Sequence, residues 1–270
     1  MSAPSFQDLF SQHAACYAEA RPGYPPELFS YLAGLVPRHE LAWDVGTGNG
    51  QAALSLAKHF KKVIATDGSR EQIDHATPHE RVEYRVALAE AADLPPGGID
   101  LITVAQALHW FRHDEFYANV RRAAAPHAVI AAWCYTLPRV NEAVDAVCDW
   151  FYKDVTGPYW PGDRAWVDSK YRSITFPFAE IGDQSRDRKG VPRDAEAASA
   201  VQDFECRADW SLSQYAAYIE SWSAVQRYRK ANGRDPMPLF EARLPDAWGD
   251  PNLRLAAKFP IHLRVGYVHQ

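Results

Sequence analysis

The sequence predicts an α/β fold, a mostly parallel sheet with helices on both faces, and three observations predict it. From residue 41 onward, short and nearly continuous apolar runs alternate with stretches of helical period, the pattern of strands covered on both sides. The links between them are short, so the crossovers are right-handed and the strands parallel. Near the end, two segments instead alternate apolar with polar residues and read as strands with one wet face.

Each element follows in order. LAWDV (41–45) opens the sheet, and GQAALSLAKHF (50–60) carries Leu54, Ala57 and Phe60 at helical spacing. KVIATD (62–67) is the second strand. SREQ (69–72) then supplies a capping box, with Ser69 at the cap and Gln72 three residues on. VEYRVAL (82–88) and IDLITVAQ (99–106) are the third and fourth strands. HDEFYANVRRAAA (113–125) is a helix with acids in its first turn and arginines near its end, as the dipole favours. VIAAWCY (129–135) is the fifth strand, and RVNEAVDAVCDWFYKD (139–154) a helix with Val140, Val144, Val147 and Phe151 on one face. DFECRADW (203–210) and IHLRVGY (261–267) form an antiparallel edge pair. Between them SLSQYAAYIESWSAVQRY (211–228) opens with a second capping box, Ser211 to Gln214, and runs Leu212, Tyr215, Ile219, Trp222 as one stripe. GDQSRDRKGVPRDAEA (182–197), the most polar stretch, reads as a mobile excursion.

Composition narrows the function. The chain of 270 residues is 47% hydrophobic and 23% charged with a net charge of −5, which suits a globular protein and disfavours nucleic acid or an anionic membrane as general partner. Its most basic run, RYRKANGR (227–234), reads as the solvated end of a helix. Cys16, Cys134, Cys148 and Cys206 form no C-x-x-C pair, against a disulfide framework or zinc knuckle. His109, His113 and Asp114 straddle a strand-to-helix junction, and Pro78 separates His75 from His79, so neither group predicts a metal site. The amino terminus shows no basic segment followed by an apolar core, and no apolar run approaches the ~20 residues that span a bilayer. A cytoplasmic location is the expectation.

The turn DVGTGNGQ (44–51) carries the chemistry. Gly46 and Gly48 fit a dinucleotide fingerprint, but its third position is Gln51 and the third glycine comes early, at Gly50. Asp44 stands two residues before the first glycine, where a carboxylate suits an ammonium group better than a pyrophosphate. Asp67 closes the second strand 21 residues after Gly46, placed to accept ribose hydroxyls. The implied ligand is a nucleoside with a cationic end. A nicotinamide-dependent oxidoreductase and a non-catalytic cofactor-binding module are the other readings. No G-x-S-x-G elbow supports a hydrolase.

DVGTGNGQ, ATDGS, ALAEAADLP and VAQALHWF, in this order, resemble the motifs of class I S-adenosylmethionine-dependent methyltransferases, nearest the small-molecule branch that includes the trans-aconitate methyltransferases. The strong match covers residues 13 to 135, with PHA (126–128) where the family often has Pro-Gly-Gly. The resemblance implies a Rossmann-like, seven-stranded sheet whose last strand is antiparallel, with a helical cap insertion. It implies an N-terminal helical lid at 1–40, a cofactor-binding core at 41–154, and a substrate cap with the sheet-completing strands at 155–270. S-adenosylmethionine would be the cofactor and a small molecule the methyl acceptor, at a carboxylate or hydroxyl oxygen. Asp44, Gly46, Gly48 and Gly50 would hold the methionine part, Asp67 the ribose, and Ala89 and Glu90 the adenine. Gln106 would line the methionine side, and Gln51, Gly68 and Ser69 would complete the cofactor site.

Around that site several side chains have two readings each. His109 is a base, a hydrogen-bond donor to a substrate oxygen, or a structural contact. Trp110 walls the pocket or joins the core. Tyr17 stacks near the sulfonium and Arg21 faces a carboxylate if the opening segment is a lid; otherwise it is a packing helix. Tyr135, Tyr159, Trp160 and Trp222 line a substrate pocket or a second core.

Overall fold

The computed structural model describes residues 22–181 and 203–269. Tyr17, Arg21 and the 182–197 stretch lie outside them. Helix α1 (Pro26–Gly34) begins with proline at the position where a missing N–H costs nothing. Then come β1 (Leu41–Val45), α2 (Gln51–Leu56), β2 (Lys62–Asp67), α3 (Arg70–Asp74), β3 (Val82–Val86), β4 (Ile99–Ala105), α4 (His113–Ala123) and β5 (Ala124–Tyr135). The second half holds α5 (Glu142–Trp150), α6 (Arg164–Asp168), β6 (Ala179–Glu180), β7 (Phe204–Trp210), α7 (Leu212–Glu220), α8 (Ser223–Asn232), α9 (Met237–Glu241), α10 (Leu244–Trp248) and β8 (Leu255–Tyr267).

The sheet runs β3-β2-β1-β4-β5-β8, with β1 to β5 parallel and β8 antiparallel to β5. The other edge of β8 carries β7 along residues 255–261 and the two-residue β6 beside Gly266 and Tyr267. The expected seven strands are therefore joined by an eighth, β6. The strand order reverses between β1 and β4, so the crevice at their carboxyl ends is where an open α/β sheet binds its ligand.

Alternate residues of each strand feed opposite cores. Val129, Ala131 and Trp133 of β5 face α1, α2 and the helices between β7 and β8, while Ile130, Ala132 and Cys134 face α4 and α6. The first core runs unbroken from Leu28 through Trp133 to Tyr215, Phe240 and Trp248. Among the described residues no helix is long and apolar enough to cross a membrane.

Several helices and strands run shorter than read, the 50–60 helix ending at Leu56 and the 139–154 helix spanning Glu142–Trp150, and three elements differ more. β5 starts five residues early, because Ala124 pairs with Ile99 and the register resumes only at Leu101 and Val129. His127, in the PHA segment, absorbs the irregularity with φ +64. β8 starts six residues early, since Ala256 and Ala257 hide the alternation that Phe259 and Pro260 continue. The 211–228 helix breaks at Ser221 and Trp222, where Trp222 turns extended and buries its indole against Tyr152 and Trp160.

Candidate functional site

β1 delivers Asp44 into the interior, not to the surface. Its side chain has no exposed area. Oδ2 accepts from the Thr47 hydroxyl at 2.6 Å, Oδ1 from the Thr103 hydroxyl at 2.7 Å, and the Ala53 N–H adds a further bond. The carboxylate thus ties the glycine turn to β4 and α2. Expected beside the methionine part, it has protein partners on both oxygens, Thr47 and Thr103, and so also fixes the shape of the glycine turn.

Burial outweighs those donors and pushes the Asp44 carboxyl from 3.8 up to about 6. The raised value means the folded protein keeps a proton that the unfolded chain has lost. That stabilising contribution is complete below pH 3.8, fades as pH rises through 6, and is gone at neutrality. We expect the stability difference between Asp44→Asn and its parent to move by roughly 2.5 kcal/mol in the variant's favour from pH 4 to pH 8. Guanidinium titrations across that range check it, and a difference that stays flat with pH would overturn it.

The three turn glycines have φ of +65, +57 and +92 at Gly46, Gly48 and Gly50. A Cβ on Gly46 would lie 2.5 Å from the Ala107 Cβ and 3.2 Å from the Phe111 ring. One on Gly50 would sit on the Tyr84 hydroxyl. Those two positions are closed by protein packing. Gly48 is the roomier position, where an added Cβ would meet only the Gln72 amide oxygen at 3.7 Å. Gln51 follows as the first residue of α2.

At the end of β2, Asp67 accepts the Gly48 N–H at 2.9 Å on Oδ2 and the Ser69 N–H at 2.8 Å on Oδ1. It thereby joins the two turns that flank the crevice, with Gly68 between them and half-buried. Ser69 caps α3 by accepting the Gln72 N–H, but its own N–H goes to Asp67, so the expected reciprocal box is only half made.

The other wall comes from the loops after β3 and β4. Ala89 is buried, its carbonyl accepting from the Asn119 amide at 3.0 Å. Glu90 Oε1 accepts the Arg112 N–H at 2.7 Å, which pins one loop to the other. Gln106, at the end of β4, has φ +57. Its N–H donates to the Trp133 carbonyl and its amide to the Tyr135 carbonyl at 3.1 Å. A non-glycine residue held left-handed beside a crevice marks strain kept for a purpose.

His109 follows on a short turn, Leu108–Trp110, and its Nδ1 lies 2.9 Å from the Tyr171 hydroxyl. Tyr171 is fully buried, and Lys170 and Tyr171 both take left-handed backbone, φ +60 and +61. Burial raises the Tyr171 phenol well above its ordinary value and so holds its hydrogen on. A neutral imidazole accepting at Nδ1 carries its proton on Nε2. Nothing in the sequence singles out Tyr171, which is 62 residues away.

The remaining aromatics divide. Trp110 is 39% exposed, beside His109 at the crevice. Tyr135 is core, edge-on to Phe259. Trp160 stacks between Tyr152 and Trp222, whereas Tyr159 packs on Tyr228 and receives the Asn232 amide.

Known proteins resemble this chain in sequence and fold. A methyltransferase-domain family model matches residues 43–132. A Dictyostelium discoideum protein assigned as a methyltransferase is 32% identical over 266 residues, covering 96% of this chain and 94% of its own. A Saccharomyces cerevisiae protein assigned as an S-adenosylmethionine-dependent methyltransferase is 24% identical over 83% of each chain. Among solved structures, a chain from Anaeromyxobacter dehalogenans assigned as a type II methyltransferase superposes with a TM-score of 0.81 at 38% identity, over 92% of this chain and 98% of that one.

Proposed function

We propose a small-molecule acceptor, methylated at oxygen, for this chain, which belongs to the class I S-adenosylmethionine-dependent methyltransferases. Membership sets aside the nicotinamide reading that the turn alone had left open. S-adenosylmethionine, when bound, supplies a sulfonium methyl whose leaving group departs neutral, so the chain's work is to orient the acceptor and exclude water.

The residues fit that cofactor. The Gly46–Gly50 turn and the first N–H groups of α2 suit a carboxylate, and the Asp67 carboxylate suits two ribose hydroxyls. We assign Ala89 and Glu90 to the adenine side, and Gln51, Gly68, Ser69 and Gln106 to the rest of the lining. Tyr17 and Arg21, outside the described residues, keep the lid role that the resemblance implies. The division into lid, core and cap at residues 40 and 154 stands as part of the same reading.

The observation that carries the oxygen acceptor is the Tyr171–His109 bond. We take the buried phenol, whose hydrogen is held on, as the donor to Nδ1, so that His109 offers a proton from Nε2 instead of taking one. A carboxylate needs no base and gains from a donor that orients it, whereas an amine or alcohol usually needs deprotonation. We expect His109→Ala to lower turnover roughly ten- to hundredfold while leaving cofactor affinity unchanged, since it loses a hydrogen bond to a charged group. Turnover equal to the parent would return His109 to a structural role.

Methyl-labelled S-adenosylmethionine supplied with a metabolite extract tests the whole reading. The expected product is small and releases labelled methanol in mild alkali, as an ester does. Label in macromolecules, or in a product stable to alkali, would overturn it.

A further inference from the structure

We infer that the cap carries a carboxylate-binding subsite made by Arg164 and Trp160, and that the acceptor is an acid recognised there; this rests on the small-molecule reading above. Helix α6 is docked onto the β4–α4 junction. Trp166 meets the His113 ring edge-on at 5.2 Å, and the Val167 carbonyl lies 4.0 Å from the Cys134 sulfur. Its first residue, Arg164, is close enough to Cys134 and Tyr171 for its charge to act on both. Tyr171 is the residue that holds His109.

The guanidinium lies over two neighbouring rings, 4.6 Å from the Trp160 ring centre and 5.3 Å from that of Tyr152, which are themselves 4.9 Å apart. Only its Nε edge is used. Nε donates to the Tyr152 hydroxyl at 2.9 Å and to Asp168 Oδ1 at 3.2 Å, and the Tyr152 hydroxyl in turn donates to Asp168. Among the described residues neither Nη group makes a hydrogen bond, although the side chain is only 21% exposed.

A second donor in the same cluster is unmet. The Trp160 indole N–H is buried with no partner, between Tyr152 and Trp222 at ring separations of 4.9 and 5.5 Å. A buried donor left unpaired is costly, and beside the Trp160 N–H the arginine's Nη groups have no protein partner among the described residues, so the cluster suits something that brings acceptors. The far end of an arginine fork matches the two oxygens of a carboxylate, and the flanking rings suit an apolar body attached to it. Asp168, the nearest negative group, is absorbed by Nε and the Tyr152 hydroxyl, so it does not fill this place itself.

Fluorine NMR titration of the protein saturated with S-adenosylhomocysteine tests this with 4-fluorobenzoate and its neutral counterpart 4-fluorobenzamide. The acid is expected to bind at least tenfold tighter, and Arg164→Gln to weaken it roughly ten- to hundredfold. Arg164→Lys keeps the charge without the fork and falls between. Trp160→Phe keeps the wall without the donor and loses several-fold, which decides the matter if Arg164→Gln does not fold. Equal binding of the two probes, no binding of the acid, or an unchanged affinity in both Arg164→Gln and Trp160→Phe would overturn the subsite. The labelled-methyl experiment reads the other claim separately. Label in macromolecules beside an Arg164-dependent benzoate site would leave the subsite and remove the small-molecule acceptor. A small ester formed equally well by Arg164→Gln would do the reverse.

Discussion

Asp67→Ala is expected to weaken S-adenosylmethionine binding on the order of a hundredfold, by calorimetric titration. Two hydrogen bonds from ribose hydroxyls to an ionised acceptor account for a loss of that size. A second effect adds to it, because the same carboxylate receives the Gly48 and Ser69 N–H groups and so sets the distance between the two turns. Asp67→Asn retains one acceptor oxygen and is expected to fall midway. An alanine variant that binds as tightly as its parent would mean that the ribose lies elsewhere and would remove the assignment of the whole crevice.

Gly50→Ala is expected to cost roughly 2–5 kcal/mol of stability in guanidinium unfolding, from two sources. A left-handed backbone costs a residue with a Cβ about 1–2 kcal/mol. Overpacking adds about 1–3 kcal/mol, since the new atom would sit on the Tyr84 hydroxyl and 2.9 Å from its ring carbon Cε1. Tyr84 is slow to retreat, because its hydroxyl donates to the Thr77 carbonyl at 2.9 Å. In a Tyr84→Ala background the same glycine substitution should lose only the backbone part, a coupling that a double-mutant cycle measures. Equal costs in both backgrounds would show that Tyr84 does not close the turn.

Much of the scaffold was legible in the sequence because its signals are local. β1 and β2 begin and end where their apolar runs do, and Asp67 stands at the strand end that spacing assigned to it. What escaped is long-range. Asp44 announced itself as an acid before a glycine turn, but its burial depends on Thr103, 59 residues away on β4. Half of the capping box at Ser69 was lost to Asp67, which competes for the same N–H. Tyr171 sits after a helix of only five residues, and its left-handed backbone leaves no trace in composition. Arg164 lay in a region whose crowding of tryptophan and tyrosine pointed equally to a pocket and to a second core.

The thirteen residues of β8 face two ways. Residues 261–267 close the flank of β5, and residues 255–261 carry β7, with Pro260, which has no N–H to give, just before the handover at Ile261. The helices between β7 and β8 leave from one strand and return through the other, so their stem is the same ribbon that seals the sheet. A truncated chain ending at residue 154 is therefore expected to leave the buried strand from Val129 to Tyr135 as a raw, sticky margin inviting another copy to pair with it.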